Sequence, residues 1–295
     1  MSLFKRRPKL SVIVNFYNMQ REAERTLYSL STAYQQSIHS TDYEVLVIDN
    51  GSSQPLNPSQ ISRFGSNFHY HYLQTHSVSP CKALNQAADF AKGELVICCI
   101  DGARILSPQI LSLSLQAAKL HAHPFIYTLS MHLGNKPQNL SITEGYNQQV
   151  EDALLASVDW QHNGYQLFTI ASTALSSGQG FFSQFAESNC FCLKKGDYLQ
   201  MGGFDEAFNS RGGGLANLDF FNRIHESAYF SPILLLGEAT FHQFHGGVAT
   251  NVVMEQHPWE EMAEEYAKIR QQPFKTSFTP PTYLGHISPE ARTFL

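Results

Sequence analysis

Three times before residue 102 an apolar, β-branched run stops abruptly at a polar cluster. Leu10 to Val14 runs into Asn15-Phe16-Tyr17-Asn18, Tyr43 to Ile48 into Asp49-Asn50-Gly51-Ser52-Ser53, and Leu95 to Ile100 into Asp101-Gly102. Short apolar runs closed by turn residues are the pattern of strands buried on both faces. Between them lie amphipathic patterns of helical period, over 21–34 and over 79–91, where Ala83, Leu84, Ala87, Ala88 and Ala91 share a face and Gly93 follows. Alternating strands and helices at short spacing predict an α/β fold, a mostly parallel open sheet flanked by helices. Such sheets bind ligands beyond the carboxyl ends of their strands. The three polar clusters should therefore meet at one edge.

Downstream the pattern loosens. Phe68, Tyr70 and Tyr72 alternate with His69, His71 and Leu73, as in an edge strand with unlike faces. A helix is expected to start near the Ser107-Pro108 pair, a cap residue followed by proline in the first turn. Strands are expected over 124–131 and 189–193, helices over 147–158 and 216–227, and a loop with exposed aromatics over 178–185. A glycine-rich segment spans 201–215, a short strand 233–236, and the stretch 240–247 carries His242 and His245 into a turn. A helix from Pro258 and an extended tail after Gln272 close the chain. With no repeat or linker, 9–101 and 102–250 read as two lobes of one domain, preceded by an extension, 1–8, and followed by a C-terminal helix and tail, 251–295.

Net charge decides which polymers the chain can hold. At −5, with a pI near 6.2, it has no field to neutralise a nucleic-acid backbone, so no nucleic acid is expected as partner. The run Lys5, Arg6, Arg7 can touch an anionic membrane surface, although a solvated terminus explains it as well. With no apolar stretch of about 18 residues, the expected location is cytoplasmic, at most at the inner face of a membrane. The cysteines fit a reducing compartment. Cys98 and Cys99 face opposite ways in one strand, and none has CxxC zinc spacing.

The chemistry concentrates on Asp101 at a strand end and on His242 and His245. A carboxylate with imidazole suits a divalent cation that also holds phosphate oxygens, Mn²⁺ or Mg²⁺. Alternatively, Asp101 is a turn residue and the histidines are packed. Residues 242 and 245 would face opposite ways in a strand, so one ligand is expected unless the chain turns.

Ser11-Val-Ile-Val-Asn-Phe-Tyr-Asn, Val47-Ile-Asp-Asn-Gly-Ser-Ser, Ala83-Leu-Asn-Gln-Ala-Ala-Asp-Phe-Ala-Lys-Gly-Glu, Ile100-Asp-Gly-Ala and Met201-Gly-Gly-Phe-Asp-Glu-Ala-Phe stand in the order of the motifs of glycosyltransferase family 2. The chain resembles that family over residues 9 to 247. The resemblance implies the GT-A fold, a nucleotide-binding lobe over 9–101, an acceptor-binding lobe over 102–250, and a nucleotide-diphosphate sugar donor of UDP or GDP type. It further implies a carbohydrate or glycolipid acceptor and metal-assisted, inverting transfer. It assigns the donor to Asn15, Phe16, Tyr17 (a face for the base), Asp49 (its edge), Gly51, Ser52, Asp101 and Gly102, with Lys82 and Asn85 reaching the diphosphate or ribose; the plainer alternatives are core packing for Tyr17, an Asx turn for Asp49 and an exposed lysine at 82.

Two departures matter. Ala103 replaces the second acid of Asp-x-Asp, and Asn217 stands where the family carries its base. Asp219 and Glu187 are the candidate bases, Asp219 lying about 200° around a helix from Asn217. A retaining mechanism, a nucleotide-sugar binder without turnover, and a nucleotidyltransferase or metal hydrolase on the same scaffold stay open.

Overall fold

The computed structural model describes residues 7–75 and 77–295, so Lys5 and Arg6 of the basic run lie outside the described residues. The early apolar runs form β1 (Leu10–Phe16), β2 (Tyr43–Asp49), β3 (Phe68–Tyr72) and β4 (Leu95–Cys99), with α1 (Gln20–Ser29), the short α2 (Pro58–Ile61) and α3 (Cys81–Phe90) between them. The later half adds β5 (Arg104–Leu106), α4 (Ile110–Ala117), β6 (Pro124–Leu133), α5 (Gln138–Ser141), α6 (Gln148–Ala156), β7 (Ala171–Thr173), β8 (Cys190–Lys194), α7 (Lys195–Gln200), α8 (Ala216–His225), β9 (Ser231–His242), α9 (Trp259–Arg270) and β10 (Thr282–Gly285).

All ten strands join one sheet in the order β10-β9-β6-β8-β4-β1-β2-β3, with β5 on β9 and β7 on β6. Strands β3, β2, β1 and β4 run parallel to one another, as do β6, β9 and β10; β8 alone is antiparallel to both its neighbours, β4 and β6. The reversal of β8 shapes the site; the short β5 and β7 are likewise antiparallel, to β9 and β6. The carboxyl ends of β1, β2, β4, β6 and β9 share one edge, and the amino end of β8 lies beside the end of β4, where Cys190 pairs with Cys99. Every residue of β1, β2 and β4 is buried. Apolar layers cover both faces, Cys98 packing in one and Cys99 in the other.

Four expectations are corrected. Ser107 caps no helix: its hydroxyl donates to Glu238 Oε2 and accepts from Ala239 N, and α4 begins at Ile110. The stretches 233–236 and 240–247 are not separate: β9 is one strand with a register shift after Leu234, which Gly237 accommodates at φ +85°. The tail is not wholly extended: Thr282–Gly285 is a strand paired in parallel with Ile233–Leu236, but Pro289–Phe294 winds into a 3₁₀ helix. Of the aromatics in 178–185 only Phe182 is exposed, Phe181 and Phe185 being core.

A candidate metal and nucleotide-sugar site

Asp101 leaves β4 in a tight turn. Its Oδ1 accepts from the Ala103 N–H at 2.9 Å, which turns Oδ2 outward. Gly102 N donates to Asn15 O at 2.7 Å, and a Cβ on Gly102 would run into the Phe16 ring, so this turn lies against β1 only with glycine. Ala103 points the other way, fully buried in the apolar layer that contains Leu106 and Ile110. A carboxylate at that position would be buried among hydrocarbon rather than offered to a cation.

β9 delivers His242 to the same edge, its Nε2 3.0 Å from Asp101 Oδ2. The chain does turn after it. His245 folds back so that its Nε2 lies 3.2 Å from His242 Nε2 and 3.6 Å from Asp101 Oδ2. One ligand atom from each of the three side chains falls within 4.8 Å of the others, and both imidazoles, not one, face the carboxylate.

A side chain far from any recognisable motif orients this group. Gln138 Nε2 donates to His242 O, so its Oε1 is an acceptor, taking His242 Nδ1–H at 2.8 Å and Asn251 Nδ2 at 2.7 Å. With its proton on Nδ1, neutral His242 presents the Nε2 lone pair to a carboxylate oxygen. Two lone pairs at 3.0 Å repel unless a cation or a proton lies between them. Burial pushes His242 down to about 4, with Asp101 opposing. Burial also works against charge on Asp101, yet the two imidazoles outweigh it and hold the carboxyl well below its usual range. His245 is likewise opposed by burial, but Asp101 raises it. The donor set of this cradle, one carboxylate and two imidazoles, suits a divalent ion such as Mn²⁺.

Glu187 arrives by the reversal of β8. It precedes the strand and accepts a hydrogen bond from Asn217 Nδ2 on α8. Asn217 also donates to Ser188 O at 3.2 Å. The two sequence candidates are thus one unit, an amide holding a half-buried carboxylate.

Asp219 is directed elsewhere. It is 1 % exposed, and Arg270 grips both of its oxygens at 2.6 and 2.7 Å while Arg223 adds a contact of 2.9 Å. Both oxygens are consumed in clamping α8 to α9, a correction to its assignment as a base.

On the nucleotide side the placements divide. Tyr17 is 48 % exposed at the tip of β1, Asn15 Oδ1 is buried without a partner, and Lys82 is exposed on α3. Gly51 keeps φ +74° where a side chain would strike Thr75 O, and Ser52 Oγ accepts from Asn18 N at 2.8 Å. Three assignments are corrected. Phe16 is wholly buried against Gly102. Asp49 is wholly buried and accepts from Ser52 N, Leu56 N and Tyr70 Oη, so it shapes the loop after β2 and shows no edge to a base. Asn85 does not share a ligand with Lys82: its side chain bonds Phe204 N and O, Tyr198 Oη and Glu206, fastening the Gly202-Gly203 turn to α3. Trp160 packs edge-on against Tyr28 and Tyr34.

The chain resembles known proteins in sequence and in fold. The family described as "Glycosyltransferase like family 2" matches residues 11–236. No curated protein matches. S. aureus TarS (residues 1–349) in complex with UDP superposes with a TM-score of 0.54 at 18 % identity, over 90 % of this chain and 67 % of that one. The mannosyltransferase PcManGT from Pyrobaculum calidifontis, in complex with GDP-Man and Mn²⁺, gives 0.55 at 16 % identity, over 92 % and 66 %. The chain spans about two thirds of these structures' length, and they establish the GT-A fold. Among the described residues no helix is long and apolar enough to cross a membrane.

Proposed function

The chain belongs to glycosyltransferase-like family 2 and is an enzyme of that class, and on that premise we propose that it transfers a sugar from a UDP- or GDP-linked donor to a carbohydrate or glycolipid acceptor, with inversion and with a divalent metal. The observation that carries the reading is the convergence of Asp101, His242 and His245 at the strand edge where a nucleotide-binding sheet takes its ligand. Structures of similar fold contain UDP, UDP-GlcNAc, or GDP-Man with Mn²⁺, which supports both the donor class and the ion.

Tyr17 offers its exposed ring to the base, and beside it the Asn15 side-chain Oδ1 has no partner within the protein. Asp101, His242 and His245 would hold the ion, which when bound acts as a Lewis acid against the charge that grows on the departing diphosphate. Glu187 takes the proton of the acceptor hydroxyl, while the Asn217 amide fixes the carboxylate and donates to the oxygen that does not receive the proton. Burying Ala103 leaves this ion site one acid short, so strong metal binding should require the donor phosphates.

Donor hydrolysis and transfer assayed across common nucleotide sugars, with Mn²⁺ or Mg²⁺, test the reading. Asp101→Ala should abolish both, whereas Glu187→Gln should lower transfer by about 10²- to 10⁴-fold with nucleotide affinity intact. Turnover that survives the loss of Asp101 refutes the proposal. Nucleotide binding without turnover on any acceptor would instead identify a binding protein that has lost the chemistry.

A further inference from the structure

Arg104 has no part in the roles assigned so far, yet it occupies the centre of the site. β5 places it directly across from His242 on β9. It is 3 % exposed, and its Nε and Nη1 are enclosed without a hydrogen-bond partner. Nε lies 3.8 Å from Asp101 Oδ2, an ion-pair distance too long for a hydrogen bond. The carboxylates whose charge reaches the guanidinium are Asp101 and Glu187.

Such an arrangement is costly twice over. An enclosed guanidinium with unmet donors is destabilising, and a hydrophobic side chain of similar volume would pack the same space more favourably. A fixed positive charge beside Asp101 also repels the divalent ion that Asp101 and the histidines are suited to hold, and low local dielectric strengthens that repulsion. Both costs diminish when a multiply charged anion enters. The neighbouring acid that could have offset the repulsion is absent, since Ala103 stands there and is buried.

We propose that Arg104 is the built-in cation of the diphosphate subsite: its charge attracts the nucleotide diphosphate and obliges the divalent ion to bind together with that diphosphate rather than before it. The inference rests on the transferase reading and deepens it. Arg104 acts by its charge at short range and is a specificity-determining residue for a diphosphate over a nucleoside or monophosphate.

The test measures UDP, GDP and uridine binding to the full chain by calorimetry, with EDTA and with Mn²⁺, and Mn²⁺ binding alone by electron paramagnetic resonance. In the unaltered protein, UDP or GDP should bind in EDTA at least tenfold more tightly than uridine, and saturating diphosphate should tighten Mn²⁺ at least tenfold. Arg104→Gln should weaken the diphosphate at least tenfold in EDTA, leave uridine unchanged, and tighten Mn²⁺ measured alone. Arg104→Lys, which keeps the charge, should restore diphosphate binding to within about threefold; a purely packing role would not separate Lys from Gln in this way. Mn²⁺ affinity of the unaltered protein that is indifferent to diphosphate overturns the inference even if no variant folds. Equal diphosphate affinity in the unaltered protein and in Arg104→Gln overturns it while leaving the transferase reading intact. Failure of the unaltered protein to bind UDP or GDP under either condition overturns the transferase reading itself.

Discussion

Replacing Gln138 by alanine separates the orientation of the imidazole proposed to hold the ion from its presence. Gln138 is wholly buried, and its side chain makes three bonds: it accepts from His242 Nδ1 and Asn251 Nδ2, and donates to His242 O at 3.0 Å. Its backbone N–H, which donates to His132 Nδ1 at 3.0 Å, survives the change. Truncation leaves two buried donors and one buried acceptor unmet, each costing about 1–3 kcal/mol, and water entering the vacated space recovers part of that. A net loss of about 3 kcal/mol follows, read by urea unfolding in EDTA. The second effect is specific. Freed of its acceptor, His242 can move its proton to Nε2 and withdraw the lone pair from Asp101, and loss of such an outer partner weakens metal binding by about 10- to 100-fold. Mn²⁺ titration in the presence of the nucleotide that binds measures this directly, on protein shown by circular dichroism to be folded. Unchanged Mn²⁺ affinity in the folded variant would refute the assignment of His242 as a ligand oriented by Gln138.

Two further substitutions report on carboxylates placed here in structural roles. Asp219→Asn removes the buried charge that Arg270 and Arg223 share, although Arg270 keeps Asp205 and Arg223 keeps the carbonyls of Met201 and Gly203; it should lower stability by about 2 kcal/mol in thermal unfolding while leaving kcat of the folded fraction unchanged, and loss of kcat without loss of stability would return Asp219 to the mechanism. Glu238 is wholly enclosed, and burial pushes its carboxyl up to about 7 against the hydrogen bonds donated by Ser107, Tyr165 and Gln109 N–H. Between about pH 4.5 and 7 the folded chain thus holds a proton that the unfolded chain has released, so stability falls as pH rises across that window, by about 3 kcal/mol in all. Glu238→Gln should flatten that slope in urea unfolding followed against pH, and an unaltered slope would show the carboxyl to be ionised throughout.

What the sequence shows of this protein is what depends on local period and on strand ends. β1, β2 and β4 announce themselves by apolar runs, and the shared edge follows from parallel packing, so Asp101 could be placed before any coordinates. The antiparallel β8 carried no such signal. Cys190 to Leu193 reads as a strand in either direction, and the reversal alone brings Glu187 beside the end of β4. Asp49 and Asn85 match family motifs, yet both are spent on backbone N–H groups of loops, which a motif cannot distinguish from a ligand's donors. Arg104 was hidden for a related reason: β5 is three residues long and is defined only by its pairing with β9.

The imidazole pair depends on the fold-back after β9, which is held both by distant parts of the chain and by the nearby Asn251. Gln243 Nε2 donates to Glu22 O and Thr26 Oγ1 on α1, and Phe244 N donates to the buried Glu151 on α6 at 2.6 Å. Arg21 joins these layers, reaching Glu151, Glu22 and Phe244 O. Asn251 Oδ1 then gathers the N–H groups of His245, Gly246 and Gly247, each at 3.0 Å, while its amide nitrogen holds Gln138. One side chain thereby couples the turn that carries His245 to the acceptor that orients His242. Because charged and amide partners from α1, α5 and α6 meet these groups before any ligand arrives, the two imidazoles are set in advance, and binding need not bear the ordering entropy of the segment. The geometry of the pair is thus held by the surrounding hydrogen bonds rather than by any ligand.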